Sequence, residues 1–291
     1  MYHNFAKLFE EAEAAGSIAK AVLNNEMEQH DLTEDEVYTK LATRWLVMRT
    51  SAQKALEAPR QMTGNLISGQ SKKQQKYAKT RGFSGSVINQ AMAWALSSSE
   101  VNASMGRVCA APTAGACGVL PAVMLSAANE CDASEQEILE ALLVAGGAGA
   151  IMTRNATVSG AEGGCQAECG VAAAMAAAAV VTLAGGTAQQ LGSAVSIALM
   201  NCMGLVCDPV AGLVQLPCSF RNASQAVNAL ISADMALAGQ DAVIPPDEAV
   251  EALAKVGRSL PSALRETSQG GVAASKTAQH ITQALKMDAL S

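Results

Sequence analysis

Aromatic and charged side chains are scarce in this chain of 291 residues. Aromatic residues make up 3% and charged residues 16%, whereas half of all residues are apolar. A core built from such small side chains favours closely packed helices and rules out disorder as the main description. The net charge is −6, and no basic stripe with interleaved aromatic residues occurs. We therefore expect no nucleic-acid partner.

Lysine and histidine are missing from the middle of the chain. No lysine lies between Lys79 and Lys255, and the three histidines are His3, His30 and His280. Pyridoxal phosphate chemistry needs a Schiff-base lysine in the core, so this route is disfavoured. Because the middle contains no histidine, a histidine triad or a histidine-rich metal site is excluded there. The glycine-rich segments match neither a G-x-G-x-x-G turn after a strand nor a phosphate-binding P-loop, so nucleotide binding is unsupported.

Strand patterns are few, whereas apolar residues recur at helical spacing along the chain. Thr33 with Glu36 and Ser134 with Glu137 have the spacing of capping boxes at helix starts. The polar stretch 63–73 interrupts the helical pattern and is predicted to be a loop, either a lid or a linker. Helices are predicted at 84–98, from Ser134 towards Ala145, and at 165–183, 187–205, 221–238, 246–257 and 272–286. The sequence thus predicts an all-α fold in a single compact helical domain with Ala- and Gly-rich buried helices.

The charges are concentrated at the beginning of the chain. Residues 1–80 carry 21 of the 46 charged side chains, and the 140 residues of 101–240 carry only 12. We therefore divide the predicted domain, 1–291, into charged N-terminal helices at 1–80, a low-charge core at 81–240 and C-terminal helices at 241–291. No charged residue lies between Cys169 and Cys207. The flanks of this stretch lack basic clusters and aromatic belts, which favours buried helices over membrane spans.

All eight cysteines lie between Cys109 and Cys218. The first residues do not form a secretory signal, so a reducing cytoplasmic location and free thiols are expected. One grouping pairs Cys165 and Cys169 with Cys202 and Cys207, at spacings that suit a structural zinc site in a non-catalytic helical interaction subunit. Another grouping joins Cys165, Cys207 and Cys218. Its first member follows Gly-Gly at a helix start, where the helix dipole favours a thiolate, and the other two are predicted in loops.

Several longer motifs resemble the alpha chain of iron-sulfur-dependent L-serine dehydratases, and the resemblance extends over nearly the whole chain. The matching segments are Ala111-Pro112-Thr113-Ala114-Gly115, Gly163-Gly164-Cys165-Gln166-Ala167-Glu168, the stretch from Cys207 through Pro217-Cys218, Arg221-Asn222, and Leu264-Arg265-Glu266-Thr267-Ser268-Gln269-Gly270-Gly271. The family's catalytic domain is all-helical. The resemblance implies dehydration and deamination of L-serine to pyruvate and ammonia, in amino-acid degradation and gluconeogenesis.

The resemblance also implies a cofactor. In the family, a [4Fe-4S] cluster is held by three cysteines, whose C-x₄₁-C-x₁₀-C spacing matches Cys165, Cys207 and Cys218. Clusters that only transfer electrons normally have four cysteine ligands. The iron that lacks a protein thiolate can act as a Lewis acid on the serine hydroxyl.

Candidate substrate contacts are the polar groups of the low-charge middle. They are Thr113, the backbone amide at Gly115, Asn155, Ser159 and Arg221. A guanidinium suits the geometry of a carboxylate, which favours Arg221 as the carboxylate-binding residue, although an ion pair at a helix start is the alternative. Capping or turn hydrogen bonds are the alternative roles of Thr113, Asn155 and Ser159.

The general base is not identified in this chain, because no histidine lies near these motifs. The resembled family has a second, serine-binding domain with a Ser-Ser-His-Thr motif, which two-subunit members carry on a beta chain. We therefore expect a beta-chain partner in a higher oligomer, with that histidine as the base. Glu162 is the candidate base within this chain. The segment 63–70 also departs from the Thr-Gly-Leu-Thr-Gly-Gly-Asp pattern of many relatives.

Overall fold

Helices account for all the regular secondary structure in the described part of the chain. The computed structural model describes residues 2–80 and 82–288. Within these ranges there are thirteen α-helices and no strand, so the all-α prediction is confirmed. The helices are α1 (Phe5–Ala15), α2 (Ile18–His30), α3 (Glu34–Glu57), α4 (Gln70–Ala78), α5 (Gly85–Ala103), α6 (Val119–Glu130), α7 (Glu135–Asn155), α8 (Gly160–Gly163), α9 (Val171–Leu183), α10 (Ala188–Cys202), α11 (Cys218–Leu237), α12 (Pro246–Ser259) and α13 (Lys276–Asp288).

The helix α9 forms the centre of the packing. Every residue from Val171 to Val181 is buried, and the helix packs against α6, α7, α10 and α11. Small side chains permit this close approach: a Cβ at Gly149 of α7 would lie 2.8 Å from Met175 Cε of α9. The segment Gln166–Leu183 is long and apolar enough to cross a membrane, but 83% of it is buried inside the protein. Its hydrophobicity is therefore explained by its place in the core.

One hydrophobic cluster joins the N-terminal helices to the low-charge middle and to α12. It includes Tyr2 and Phe5 near the start of the chain, the buried face of α9, and Leu253 in α12. A single shared core agrees with a single domain. The finer division at residues 80 and 240 remains a prediction.

Both capping boxes predicted from the sequence are confirmed. Thr33 and Glu36 form a capping box at the start of α3, and Ser134 and Glu137 form one at the start of α7. In each pair the carboxylate accepts a hydrogen bond from the N-cap backbone amide, at 2.8 Å and 2.7 Å. These contacts satisfy backbone donors that have no partner inside the helix.

The predicted loop at 63–73 is wrong in its second half, because α4 begins at Gln70. The cause is a carboxylate contributed by a distant segment. Glu100 of α5 is fully buried and accepts hydrogen bonds from the Gly69 amide at 2.9 Å and the Ser71 amide at 2.8 Å. An anion at these unpaired amides stabilises the N-terminus of α4, and the polar sequence there gives no local sign of it.

Two of the other differences in helix bounds are at α7 and α13. The helix α7 continues through Gly146 and Gly147 to Asn155, because the second glycine packs closely: a Cβ on it would lie 2.7 Å from Val22 of α2. The last predicted helix starts later, since residues 271–274 form a 3₁₀ turn before α13. Neither difference alters the fold class.

Candidate active site

Three elements place Cys165, Cys207 and Cys218 around one region of the core. Cys165 precedes a π-helical turn at Gln166–Gly170 that continues into α9, as expected for a thiol at a helix start. Cys207 lies in the link between α10 and α11. Cys218 is the first residue of α11, so its predicted loop position is wrong by one helical turn. Cys165 and Cys207 are buried and Cys218 is partly buried.

The backbone on both sides of Cys207 is fixed by the segment after α12. The Cys207 amide donates to Leu264 O at 2.9 Å, and the Glu266 amide donates to Cys207 O at 2.7 Å. These bonds form an isolated bridge between Cys207 and Arg265. The motif that contains Arg265 and Glu266 thus positions Cys207. These backbone bonds bring the motif and the cysteine to one site, although they are far apart in the sequence.

Arg221 of α11 holds the same segment through two further contacts. Its Nη1 donates to Val206 O at 2.6 Å, and its Nη2 lies 2.7 Å from Asp208 Oδ1. The two contacts bracket Cys207. Arg221 was predicted to bind the substrate carboxylate; the structure gives it a partner on either side of Cys207 and leaves 14% of its side chain exposed.

Two buried amides connect the cysteine-bearing segments. Gln166 is fully buried; its Nε2 donates to Leu253 O of α12, and its Oε1 accepts from the Gly204 amide at 2.8 Å. Asn222 donates through Nδ2 to Gly115 O at 2.7 Å and to Cys218 O at 2.9 Å. Neither residue was assigned a role from the sequence. Asn222 lies one helical turn after Cys218, and this spacing is a local signal for the hydrogen bond between them.

Glu168 has the most informative surroundings of the carboxylates near the cysteines. Its Oε1 accepts from Thr113 Oγ1 at 3.0 Å, and its Oε2 lies 3.8 Å from Cys207 Sγ. A Cβ at Gly115 would lie 3.1 Å from one carboxylate oxygen, and a Cβ at Gly160 would lie 2.6 Å from the other. The glycines therefore make room for this carboxylate, and Thr113 and Gly115, predicted as substrate contacts, both adjoin it.

Burial and mutual proximity keep most of these thiols protonated. Burial, with repulsion from Cys165 and Glu168 as additional causes, raises the pKa of Cys218 to about 12. Burial also raises the pKa of Cys207, with Glu168 and Cys165 as additional causes. A hydrogen bond from Cys169 lowers the pKa of Cys165. These mutual effects place the three thiols in one electrostatic neighbourhood. A metal that binds them as thiolates must displace protons.

Burial likewise raises the pKa of Glu168, and the hydrogen bond from Thr113 opposes that effect. The nearby Glu266 acts in the same direction as burial, because two like charges repel. A cation placed beside Glu168 would lower its pKa again.

The alternative zinc site is not assembled in the described residues. No three His, Cys, Asp or Glu side chains there are arranged to hold one metal ion, and this includes the set Cys165, Cys169, Cys202 and Cys207. The Cys202 thiol donates to Leu199 O at 3.2 Å within its own helix. The set Cys165, Cys207 and Cys218 is not a single-ion site either. A cubane cluster would require a different arrangement of the thiolates from a single ion, because each thiolate would bind a separate iron atom.

Three other predicted residues lie in different surroundings. Asn155 is exposed and donates to His3 O at 2.8 Å. Ser159 occupies the N-cap position of α8. Glu162 is exposed and accepts from Thr157 Oγ1 at 2.6 Å. Thus Glu168, rather than Glu162, is the carboxylate that contacts a predicted cluster ligand.

The segment 63–70 packs beside Cys218. Gln215 accepts from the Leu66 amide at 3.0 Å and donates to Thr63 O at 2.6 Å. Ser219 and Gln70 are joined by a side-chain hydrogen bond of 3.1 Å. The segment therefore contacts residues on both sides of Cys218, which gives it a place at the site although its sequence departs from the resembled pattern.

A glycine pair provides a test of this geometry. Gly160→Ala should lower the rate of L-serine dehydration, the reaction that the resemblance implies, by about tenfold or more. The new Cβ would collide with Glu168 Oε2 and lie 3.1 Å from Cys207 Sγ. Gly146→Ala should leave activity unchanged, since nothing lies within 4 Å of its Cβ and alanine is the better helix former. Steady-state rates and thermal melting of the two variants check this. Equal rates would show that the space at Gly160 is not needed.

The family was established by comparison with known proteins. The family model described as the serine dehydratase alpha chain matches residues 13–273. The chain belongs to the serine dehydratase alpha-chain family. The resemblance inferred from the sequence motifs is confirmed.

Two relatives match nearly end to end. The L-serine dehydratase alpha chain of Peptoniphilus asaccharolyticus is 48% identical over 261 residues, which cover 89% of each protein. The probable L-serine dehydratase alpha chain of Bacillus subtilis is 43% identical over 283 residues, covering 97% of this chain and 94% of the relative. L-serine dehydratase 2 of Escherichia coli is 36% identical over 94% of this chain, but the match spans only 61% of that longer protein.

Proposed function

We propose that this chain is the catalytic alpha chain of an L-serine dehydratase, which converts L-serine to pyruvate and ammonia at a [4Fe-4S] cluster bound by Cys165, Cys207 and Cys218. The observation that carries the proposal is that hydrogen bonds of Gln166 and Arg221 join the segments of the three cysteines to one another, in a member of the serine dehydratase alpha-chain family. The other two alpha chains named above are described as L-serine dehydratases or probable ones.

The donor set fits an iron-sulfur cluster. Thiolates are soft ligands that suit iron-sulfur clusters, and all three donors are cysteines. Each is held by a separate element: a π-helical turn, a bridged link and the start of α11. Three ligands leave one iron of the cluster without a protein thiolate. When bound, such a cluster supplies a Lewis acid for the serine hydroxyl.

The residues of this chain prepare the site in three ways. Arg221 fixes the segment around Cys207 through Val206 and Asp208, and its remaining N–H groups can donate to a substrate carboxylate. Asn222 ties the Thr113–Gly115 turn to Cys218 through the hydrogen bonds already described. Cys165 and Cys207 lie within the hydrophobic core. The core limits access of water to them, which strengthens electrostatic interactions there.

The proposed general base comes from a partner subunit. The carboxylates near the cysteines have other contacts: Asp208 pairs with Arg221, and Glu162 is exposed and bound to Thr157. A histidine of a beta chain, from the Ser-Ser-His-Thr motif that the resemblance implies, would supply the base at the Cα proton. The greater length of the E. coli relative is consistent with a region beyond this chain. We propose a cytoplasmic heteromer of higher order.

Oxygen sensitivity tests the proposed cofactor. Aeration of the purified alpha–beta complex should abolish pyruvate formation, because the iron without a thiolate ligand is the least firmly held and is lost first on oxidation. Ferrous iron with a thiol under anaerobic conditions should restore most of the rate. Pyruvate formation before and after treatment is the measurement. Full activity after prolonged aeration with a chelator would contradict the proposed cofactor.

A further inference from the structure

The carboxylate of Glu168 is fixed in direction by its surroundings. Thr113 Oγ1 donates to one oxygen at 3.0 Å, and the backbones of Gly115 and Gly160 approach from two other sides. Cys207 Sγ lies 3.8 Å from the second oxygen. The side chain is partly rather than fully buried. Its carboxylate is therefore held at a predicted cluster ligand without being sealed from a small ligand.

The neighbourhood of Glu168 has an excess of acidic groups. Cys207 Sγ lies 3.8 Å from Glu168 Oε2, and Glu266, whose amide donates to Cys207 O, adds a second carboxyl group. Among residues 2–80 and 82–288, no lysine, arginine or histidine forms an ion pair with Glu168. Arg221 is the nearby cation, and it is paired with Asp208. A partly buried carboxylate with no cation of its own is complementary to a cationic ligand group.

We propose that Glu168 binds the ammonium group of the amino-acid substrate, with Thr113 orienting its carboxylate. This assignment rests on the proposed function, in which the substrate is a zwitterionic amino acid. Glu168 thereby determines specificity, because it selects α-amino acids over α-hydroxy acids of the same shape. The Thr113–Glu168 pair also gives Thr113 an indirect role in place of a direct substrate contact.

The test compares ligands that differ at the α-substituent. L-alanine and L-lactate share a carboxylate and a methyl group, differ in ammonium against hydroxyl, and have no β-hydroxyl to eliminate. Calorimetry on the anaerobic alpha–beta complex should show that Glu168→Gln weakens L-alanine binding by about 10- to 100-fold, the loss expected for a hydrogen bond to a charged group. L-lactate binding should change by less than about twofold. The KM for L-serine should rise in parallel with the alanine Kd.

Two further variants separate the effect of the Glu168 charge from other effects of a substitution. Glu168→Asp keeps the charge on a shorter side chain and should retain part of the preference for L-alanine. Glu251→Gln removes an exposed carboxylate of α12 that pairs with Lys255, and it should leave every constant unchanged. Iron content per alpha chain, measured on all variants, should equal that of the wild type.

Four results would overturn the assignment. Equal weakening of L-alanine and L-lactate binding would show that Glu168 stabilises the pocket and does not bind the ammonium group. Loss of iron from Glu168→Gln would assign the residue to holding the cluster. Unchanged alanine binding in a variant of an active enzyme would contradict the assignment alone, whereas a wild-type complex without serine turnover would contradict the proposed function and this assignment with it.

Discussion

The variants Cys165→Ser, Cys207→Ser and Cys218→Ser are each expected to lose both the iron chromophore and pyruvate formation. A hydroxyl is a hard, weakly acidic ligand and replaces a thiolate on iron poorly. With only three protein ligands, the loss of one leaves the cluster on two cysteines. Iron content, the absorption spectrum and the rate with L-serine, all measured anaerobically, should fall below detection in each variant.

Matched controls come from buried cysteines outside the proposed ligand set. Cys117 is buried and its thiol lies 3.8 Å from Ser98 O, and Cys202 is buried with a hydrogen bond inside its own helix. Cys117→Ser and Cys202→Ser can keep these hydrogen bonds and should keep the cluster. Cys202 also separates the two cysteine groupings, because it belongs to the zinc set and Cys218 does not. Iron lost from Cys202→Ser and fully retained by Cys218→Ser would show that the ligand assignment is wrong.

The alpha chain alone is expected to assemble its cluster yet to turn over L-serine slowly. All three proposed ligands lie on this chain, whereas its described carboxylates near them are paired, exposed or assigned to the substrate ammonium group. Adding the beta chain should raise the rate by about 10²- to 10⁴-fold, the usual contribution of a positioned general base. Pyruvate formation per cluster, with and without beta chain, is the measurement.

Replacement of the beta-chain motif histidine refines this experiment. A beta chain with glutamine in place of that histidine should still bind the alpha chain, as seen by gel filtration, but should not restore turnover. An alpha chain that alone equals the mixture would place the base on this chain. Glu168→Gln and Glu162→Gln would then be compared for loss of kcat.

Local patterns in the sequence predicted most of the helices, but they gave no helix at α6 and a loop at the start of α4. The correct predictions have identifiable reasons. Capping boxes at Thr33 and Ser134 involve residues three positions apart, so they are visible in any short window. The Ala-rich stretch of α9 is apolar on all sides, as required for a helix surrounded by others. The proposed cluster ligands follow from motifs that resemble a known family, since spacing alone left two cysteine groupings open.

The contacts that define the site join distant parts of the chain, and for that reason the sequence did not reveal them. Thr113 and Glu168 are 55 positions apart, and Gln215 reaches across 152 positions to Thr63. The start of α4 depends on Glu100, a buried carboxylate from another helix. The position of Glu168 in the first turn of a helix has a local explanation, because a negative charge suits a helix N-terminus without any distant partner. Its contacts with Thr113 and Cys207 arise only from tertiary packing.

The anaerobic absorption spectrum of the wild-type alpha chain, recorded together with its metal content, tests the central claim most directly. A [4Fe-4S] cluster predicts a brown protein with broad absorption near ~400 nm and about four irons per chain, all lost in Cys218→Ser. A colourless protein that holds about one zinc per chain would contradict the claim, because zinc is d¹⁰ and gives no such absorption.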